Sequence, residues 1–177
     1  MCDSNTRPKA RRSNQHQLNS WRRPSVAGWY KVRGSYTGGM SSAGAREGCQ
    51  IILVNKVGAV LLQLRDNKPT IAFPNMWVIP GGMLDPDETA AACIAREVRE
   101  ELGVTLPAES IEFLGRTRRS YGVENTFTAP LDAASTSIIL TEGQRITWFT
   151  EPDIRAMELA YEDNAVLADY FCRQSTR

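Results

Sequence analysis

Runs of apolar, β-branched and aromatic residues recur from residue 49 onward and predict strands. CQIILVNK, from Cys49, and VLLQLRD, from Val60, flank a segment that contains a turn glycine, Gly58, so together they predict a β-hairpin. MWVIP, from Met76, predicts a short strand that runs into a pair of glycines. Three more segments with strand character follow later in the chain: IEFLGRTRRSY, VENTFTAPL and RITWFT.

A helical pattern over residues 85–102 separates the two groups of strands. Asp85 is suited to cap this helix, Pro86 fits the first helical position, and Glu88 stands where a capping box requires it. Gly103 favours an end just before it. Side chains about 100° apart form an apolar stripe of Ala91, Ile94, Ala95, Val98 and Leu102. Two more helical patterns come after the last strand, over residues 151–160 and residues 161–172.

Strands and helices are mixed without a βαβ repeat, so the pattern favours an α+β fold or a sandwich built on a mixed sheet. A length of 177 residues suits one domain. The apolar runs, such as Ile51–Val54, are too short to cross a bilayer, so we expect no membrane partner.

The net charge of +1 conceals an asymmetry along the chain. Residues 1–46 hold nine Lys and Arg and one acid, Asp3, whereas the rest holds 12 basic and 19 acidic residues. The first segment lacks apolar periodicity, so we expect a basic, disordered extension over residues 1–46 and a folded domain over residues 47–177. A solvated tail is the favoured interpretation of the extension; a nucleic-acid contact, an organelle-targeting segment and a natural start at Met40 are the alternatives.

The positions of the cysteines and of the histidine limit which side chains are available for catalysis in the domain. Four cysteines lie far apart along the chain: Cys2, Cys49, Cys93 and Cys172. They form no CxxC pair, so a reducing cytoplasm is the expected setting, and Cys93 is expected to be a small core residue. The only histidine, His16, lies in the basic extension. The domain therefore has to use carboxylates and Lys, Arg or Tyr side chains.

Negative charge is concentrated at the end of the predicted helix. Glu97, Glu100 and Glu101 share a face next to the apolar stripe. Acids at a helix C-terminus meet the negative end of the helix dipole, at a cost of roughly 0.3–1 kcal/mol each, and they also repel one another. A solvated acidic face supported by an Arg96–Glu100 pair is one explanation. A bound divalent cation is the other, because Mg²⁺ combines carboxylate ligands with substrate phosphates.

The glycine pair and the acidic helix together resemble a known motif. Gly82, Glu88 and the run REVREELGV, from Arg96 to Val104, match every defined position of the Nudix box, and the chain resembles the Nudix hydrolase family in layout over about residues 48–172. This resemblance implies an α/β/α sandwich, the Nudix fold with a mixed β-sheet between helices. It also implies hydrolysis of a nucleoside diphosphate linked to another moiety, with Mg²⁺ or Mn²⁺ as cofactor.

The resemblance also implies roles for individual residues. The implied metal ligands are three carboxylates and one backbone carbonyl, at Glu97, Glu100, Glu101 and Gly81. Arg96 would orient a box glutamate, while the predicted capping box is sufficient to explain Glu88. Glu142, in an EGQ segment before RITWFT, resembles a loop carboxylate that binds metal or acts as catalytic base. A polar hairpin residue is the alternative for Glu142, and a box glutamate is the alternative base.

Three residues outside the box are candidates for substrate contact. Arg65 is similar to an arginine that family members place against substrate, with an exposed strand end as the alternative. Tyr121 follows the box by 17 residues, a spacing that resembles the dinucleoside-polyphosphate hydrolases. Trp77 would stack a base or pack in the core, and packing is the favoured interpretation.

The leading hypothesis is a cytoplasmic, metal-dependent pyrophosphohydrolase. Its substrate would be a nucleotide sugar, a dinucleoside polyphosphate, a nucleoside triphosphate or an ADP-ribose-like compound, and the residues do not select one of these. The alternatives are a nucleotide-binding regulatory module of the same fold without turnover, and an RNA-acting hydrolase recruited by residues 1–46. The sequence is also compatible with a homodimer.

Overall fold

The computed structural model describes residues 46–132 and 136–176, so the predicted extension over residues 1–46 lies outside the described residues except for Arg46. The strands are β1 (Glu47–Val54), β2 (Val60–Leu64), β3 (Trp77–Val78), β4 (Gly81–Met83), β5 (Glu112–Arg119), β6 (Gly122–Pro130) and β7 (Arg145–Phe149). The helices are α1 (Ala90–Leu102), α2 (Glu151–Arg155) and α3 (Asp163–Gln174), with a 3-10 turn at Ala108–Ser110. Within this part of the chain, the helices are all too short or too polar to span a membrane.

One mixed sheet organises the domain around β1. β1 pairs in parallel with β6 through eight consecutive positions, and β5 pairs antiparallel with the far side of β6. β1 and β2 pair at one position, Val54 with Val60, and their far ends are bridged by other strands. β3 pairs with β2 while β4 pairs with β1, so the β3–β4 segment lies in the gap between the two. This gap brings the glycine pair of β4 into the middle of the sheet.

Helices cover both faces of this sheet. Successive side chains of a strand point to opposite faces, so Ile51 of β1 packs in a cluster with Ile94 and Val98 of α1. Ile52 packs in a second cluster on the other face, with Leu167 of α3 and its neighbours. The expected α/β/α sandwich with a mixed sheet is confirmed.

The predicted hairpin and the later strands are present, but the helix before α3 is shorter than predicted. α2 ends at Arg155, whereas the pattern predicted a helix to residue 160. The Ala160 N–H donates to the Trp77 carbonyl (3.0 Å), and the Leu159 N–H donates to the Asn164 side chain (2.8 Å). Contacts with β3 and α3 therefore replace the helical hydrogen bonds of residues 156–160.

The start of the acidic helix also differs from the prediction. α1 begins at Ala90 with Thr89 as its cap, whose hydroxyl accepts the Ala92 N–H (3.2 Å). Asp87 has a φ of +65°, which no helix tolerates, so the predicted cap at Asp85 is wrong. Asp85 instead begins a turn in which its N–H donates to the Glu88 carboxylate (3.1 Å).

The buried face of α1 is rotated from the predicted stripe. Ala91 and Ala95 are exposed, whereas Cys93 and Glu101 are buried. Burying an alanine methyl removes little apolar surface, so the larger apolar side chains decide which face meets the sheet. Glu101 consequently points inward instead of lying on a solvated face.

Cys49 of β1 and Cys93 of α1 are bonded as a disulfide. Both residues are buried, so the predicted core position of Cys93 is confirmed, whereas their bond was not predicted from the spacing of the cysteines. They are 44 positions apart in sequence, and only the packing of α1 on β1 brings them together.

Candidate active site

The loop before β7 covers the C-terminal end of α1. The Ile139 N–H donates to the Leu102 carbonyl (2.9 Å). Thr141 donates twice, from its N–H to the Glu101 carbonyl (2.9 Å) and from its hydroxyl to the Glu100 carbonyl. These bonds satisfy carbonyls that a helix end leaves without intrahelical partners. They also bring the next loop residue, Glu142, close to the acidic turn.

Arg96 connects several acidic side chains on the exposed side of α1. Its Nε and Nη2 donate to the Glu88 carboxylate (3.0 and 2.8 Å), and its Nη1 donates to Glu97 (2.9 Å) and Glu100 (3.1 Å). Nη2 also donates to the Met83 carbonyl (3.1 Å). The contact between Arg96 and box glutamates, expected from the resemblance, is present. Glu88 serves as its rigid bidentate partner and does not cap the helix.

Glu101 is a buried carboxyl group at the centre of this region. Glu101 is only 8% exposed, and its Oε2 accepts a hydrogen bond from the Gly81 N–H (3.2 Å). Burial, together with the nearby charges of Glu142 and Glu97, raises the pKa of Glu101 to about 8. The fold therefore places an acid where its ionised form needs a compensating positive charge.

Glu97 lies against the glycine pair. A Cβ at Gly82 would lie 2.2 Å from Glu97 Oε1, so only glycine leaves room for this carboxylate. Burial raises the pKa of Glu97, partly offset by Arg96. Glu100 is more peripheral, with 54% of its side chain exposed.

The donor set fits a hard divalent cation. Glu97, Glu100, Glu101 and the Gly81 carbonyl would supply oxygen ligands, and the charge of a cation would favour the ionised forms of Glu97 and Glu101, which burial and mutual repulsion disfavour. Within residues 46–132 and 136–176, no three acidic, Cys or His side chains already stand together as a metal-binding group. Arg96 bonds one oxygen of Glu97 and one oxygen of Glu100, so the second oxygen of each carboxylate is left for a cation.

A cavity of about 350 Å³ opens beside the acidic turn and is lined by Arg65, Lys68, Thr141 and Glu142, among others. The Arg65 Nε donates to the Ala72 carbonyl (2.9 Å), and its guanidinium lies 5.2 Å from the ring centroid of Tyr161. Glu142 is exposed. Two cationic side chains and an accessible carboxylate thus share one polar cavity.

The two aromatic candidates lie in different surroundings. The Tyr121 hydroxyl donates to Glu124 (3.3 Å), and its ring packs against Tyr161, with 5.4 Å between centroids. Burial raises the pKa of Tyr121, so it stays a hydrogen-bond donor. Trp77 packs edge-on against Phe149 (4.8 Å between centroids), with the Arg145 guanidinium 5.1 Å from its ring centroid. These contacts favour the packing interpretation of Trp77.

Two buried acids near this site were not among the sequence candidates. Glu124 of β6 is 7% exposed and lies over Gly48, where a Cβ would be 3.1 Å from both carboxylate oxygens. Asp163, at the start of α3, is 1% exposed and accepts the Ile79 N–H (2.8 Å). Burial raises the pKa of each to about 7. An acid inside the strand pattern VENTFT was a usable signal for Glu124, whereas Asp163 resembles any acid in a first helical turn.

Comparisons with known proteins identify a family and several relatives. The family model described as "NUDIX domain" matches residues 45–169. An RNA pyrophosphohydrolase from Coxiella burnetii is 28% identical over 148 residues, which cover 82% of this chain and 56% of that protein. A prenyl-diphosphate phosphatase from Methanosarcina mazei is 31% identical over 103 residues, covering 56% of this chain and 60% of that protein. The chain thus spans less than two thirds of either relative's length.

Solved structures support the fold. A MutT protein from Methanosarcina mazei Go1 superposes with a TM-score of 0.60 at 21% identity, covering 78% of this chain and all of that one. At this level of identity the similarity concerns the fold alone.

Proposed function

Since a NUDIX domain spans most of it, the chain belongs to the Nudix hydrolase family, whose members hydrolyse pyrophosphate bonds, and we propose that its substrate is a nucleoside diphosphate derivative and its cofactor Mg²⁺ or Mn²⁺. Glu101 carries this proposal. It is a buried carboxyl group held by a backbone N–H, and it faces Glu97 and Glu142. Buried charges of one sign persist in proteins when a ligand or metal compensates them.

The acidic residues would bind the cation, and Arg96 would orient them. Glu97, Glu101 and the Gly81 carbonyl would hold the cation, together with the more exposed Glu100. A bound cation would neutralise phosphate charge and lower the pKa of a water molecule. Arg96 keeps Glu97 and Glu100 oriented, in the way that outer hydrogen bonds generally hold metal ligands.

The polar cavity beside the acidic turn would receive the phosphates. Arg65 and Lys68 line it and offer N–H donors to anionic oxygens. Glu142 lines the same cavity and is exposed, so it can take a proton from an attacking water. A box glutamate is the other candidate base. Tyr121 remains a candidate substrate contact because its hydroxyl stays protonated.

A screen with the full-length chain tests the proposal. Nucleotide sugars, dinucleoside polyphosphates, nucleoside triphosphates and ADP-ribose are incubated with Mg²⁺ or Mn²⁺, and products are separated by chromatography. We expect metal-dependent cleavage at a phosphoanhydride, reduced at least about a hundredfold by Glu101→Gln. Glu109→Gln, at an exposed acid of the 3-10 turn, is the matched control and should behave like wild type. Equal rates for both variants would refute the site.

An RNA substrate is the second candidate, favoured by the Coxiella burnetii relative described as an RNA pyrophosphohydrolase. Residues 1–46, with their nine basic residues, would then add salt-sensitive affinity for RNA. Binding of 5′-triphosphorylated RNA by the full chain and by a chain starting at Met40 is compared at two salt concentrations. Equal affinity of the two proteins would show that residues 1–46 do not contribute to RNA binding.

The alternative of a nucleotide-binding regulatory module predicts nucleotide binding without turnover in the nucleotide screen.

A further inference from the structure

The loop between β2 and β3, residues 65–76, forms one wall of the polar cavity beside the acidic turn. Arg65, Lys68 and Ile71 of this loop line the cavity. Phe73 follows Ile71 by two residues, so the Cα atoms of the two are at most about 7 Å apart. The cavity wall and Phe73 therefore belong to one short stretch of backbone.

The Phe73 ring is exposed, yet other side chains hold it in place. Phe73 is 38% exposed. Its ring packs edge-on against Tyr161, with 4.7 Å between the centroids. Tyr161 in turn packs edge-on against Tyr121 (5.4 Å between centroids), and its ring centroid lies 5.2 Å from the Arg65 guanidinium. An aromatic surface is thus fixed beside the cation that lines the cavity.

The backbone presents this aromatic pair at a cost. Phe73 has a φ of +51° and Tyr161 a φ of +53°, in the left-handed region that bulky residues rarely adopt. Such outliers persist where surrounding contacts enforce them, and they cluster at ligand sites. Here the Arg65 Nε donates to the Ala72 carbonyl (2.9 Å), and the Gln144 side chain donates to the Arg65 carbonyl (2.7 Å). A packing role alone does not explain an exposed ring on such a backbone.

An exposed ring beside a cationic cavity suits the base of a nucleotide. Every nucleobase has an aromatic face that stacks on a phenyl ring. The Arg65 guanidinium offers N–H donors to phosphate oxygens in the cavity. A ribose with its α-phosphate bridges a distance of the size that separates Ile71 from Phe73. Inorganic diphosphate, in contrast, has no group that would use the ring.

We propose that Phe73 is the stacking platform for the nucleobase of the substrate and that Tyr161 holds its ring in position. This inference rests on the proposed function and assigns a site to the part of the substrate that the acidic turn does not bind. Stacking requires only an aromatic face, so the platform accepts different bases. It favours nucleotides over sugar phosphates that lack a base.

Binding of AMP and of ribose 5-phosphate to the full-length protein with Mg²⁺ tests this assignment. Ribose 5-phosphate has a hydroxyl group in place of the base, and neither ligand contains a phosphoanhydride, so no turnover occurs. By calorimetry we expect the wild type to bind AMP on the order of tenfold more tightly than ribose 5-phosphate. In NMR spectra, nuclear Overhauser contacts between the base protons and the Phe73 ring should locate the base.

Variants of Phe73 show whether its ring is responsible. Phe73→Leu keeps an apolar side chain without an aromatic face, so AMP and ribose 5-phosphate should bind to it about equally. Phe73→Tyr should retain the wild-type preference for AMP. Phe113→Leu is the matched control, because Phe113 is 53% exposed and also packs edge-on against one aromatic ring, that of Phe127 (5.3 Å between centroids). It should retain the preference, and amide spectra of each variant establish that the fold is kept.

Three results would overturn the inference: a wild type that does not prefer AMP to ribose 5-phosphate, an unchanged preference in Phe73→Leu, or an equal loss of preference in Phe113→Leu. Hydrolysis of nucleotides that Phe73→Leu does not impair would likewise reject the platform, while the proposed function stands. Stacking of AMP on Phe73 without hydrolysis of any compound in the nucleotide screen would reject the proposed function and leave the platform in place.

Discussion

Metal binding to this domain should release a proton, and Glu101 should be its main source. A carboxyl group must be ionised to bind a cation. The surroundings of Glu101 raise its pKa from 4.5 to about 8, first through burial and then through Glu142 and Glu97. The metal-free protein at neutral pH therefore holds a proton that the metal-bound protein cannot keep.

The size of the effect follows from that pKa. At pH 7 about nine tenths of Glu101 is protonated before metal is added, so binding releases about 0.9 proton from this residue. At pH 9 the release falls to about 0.1 proton. As the pH rises towards 8, the apparent metal affinity should increase about tenfold per pH unit, and it should level off above pH 8.

The same shift has a consequence for stability, with a defined sign. Between pH 4.5 and pH 8 the metal-free folded domain binds more protons than the unfolded chain, so its free energy of unfolding should fall as the pH rises. Glu124 and Asp163, whose pKa values burial raises to about 7, act in the same direction. Metal removes the contribution of Glu101 to this decline.

Calorimetry in buffers with different ionisation enthalpies measures the protons released. We expect a release near one at pH 7 that disappears by pH 9 in the wild type. Glu101→Gln should lack the pH-dependent proton release that comes from this residue, while Glu109→Gln should release as many protons as the wild type at each pH. A release that is independent of pH, or equal in Glu101→Gln, would show that the burial of Glu101 does not control metal binding.

Three further predictions concern the surroundings of the site. Gly82→Ala should displace the Glu97 carboxylate, because the added methyl group would overlap it, and should weaken metal binding about tenfold or more by calorimetry; Gly115→Ala, where an added methyl meets no atom within 4 Å, should not. Arg96→Lys should lower kcat about 10- to 100-fold with little loss of secondary structure by circular dichroism, since lysine cannot reproduce the bidentate contact; activity like that of wild type would contradict this. Reducing the disulfide between β1 and α1 should lower the free energy of unfolding by about 4 kcal/mol in urea titrations. A urea midpoint that does not change with reductant would contradict this.

The local features of this site were readable from the sequence. Runs of apolar, β-branched and aromatic residues predicted all the strands of the sheet except β4, and the spacing of Glu97 and Glu101 on one helix follows from helical geometry alone. Gly103 ends α1 with a φ of +64°, as its position predicted. These features depend on residues that are near one another in the chain, so short-range rules suffice for them.

Features that depend on distant contacts were not readable. The parallel pairing of β1 with β6 places Glu124 over Gly48, 76 positions away, and no local pattern indicates this pairing. The disulfide is a similar case, since α1 must first pack on β1. The start of α1 was predicted wrongly for another reason: two acids and a proline offered a cap, but the backbone of Asp87 adopts a left-handed conformation and moves the cap to Thr89.

The hydrogen bond from the Ile79 N–H to Asp163 links the last helix to the segment that leads into the glycine pair. A residue of the opposite layer of the sandwich, outside the Nudix box, therefore holds the backbone that leads into Gly81 and Gly82. A chain shortened before residue 163 would keep every residue of the box and still lose this hydrogen bond.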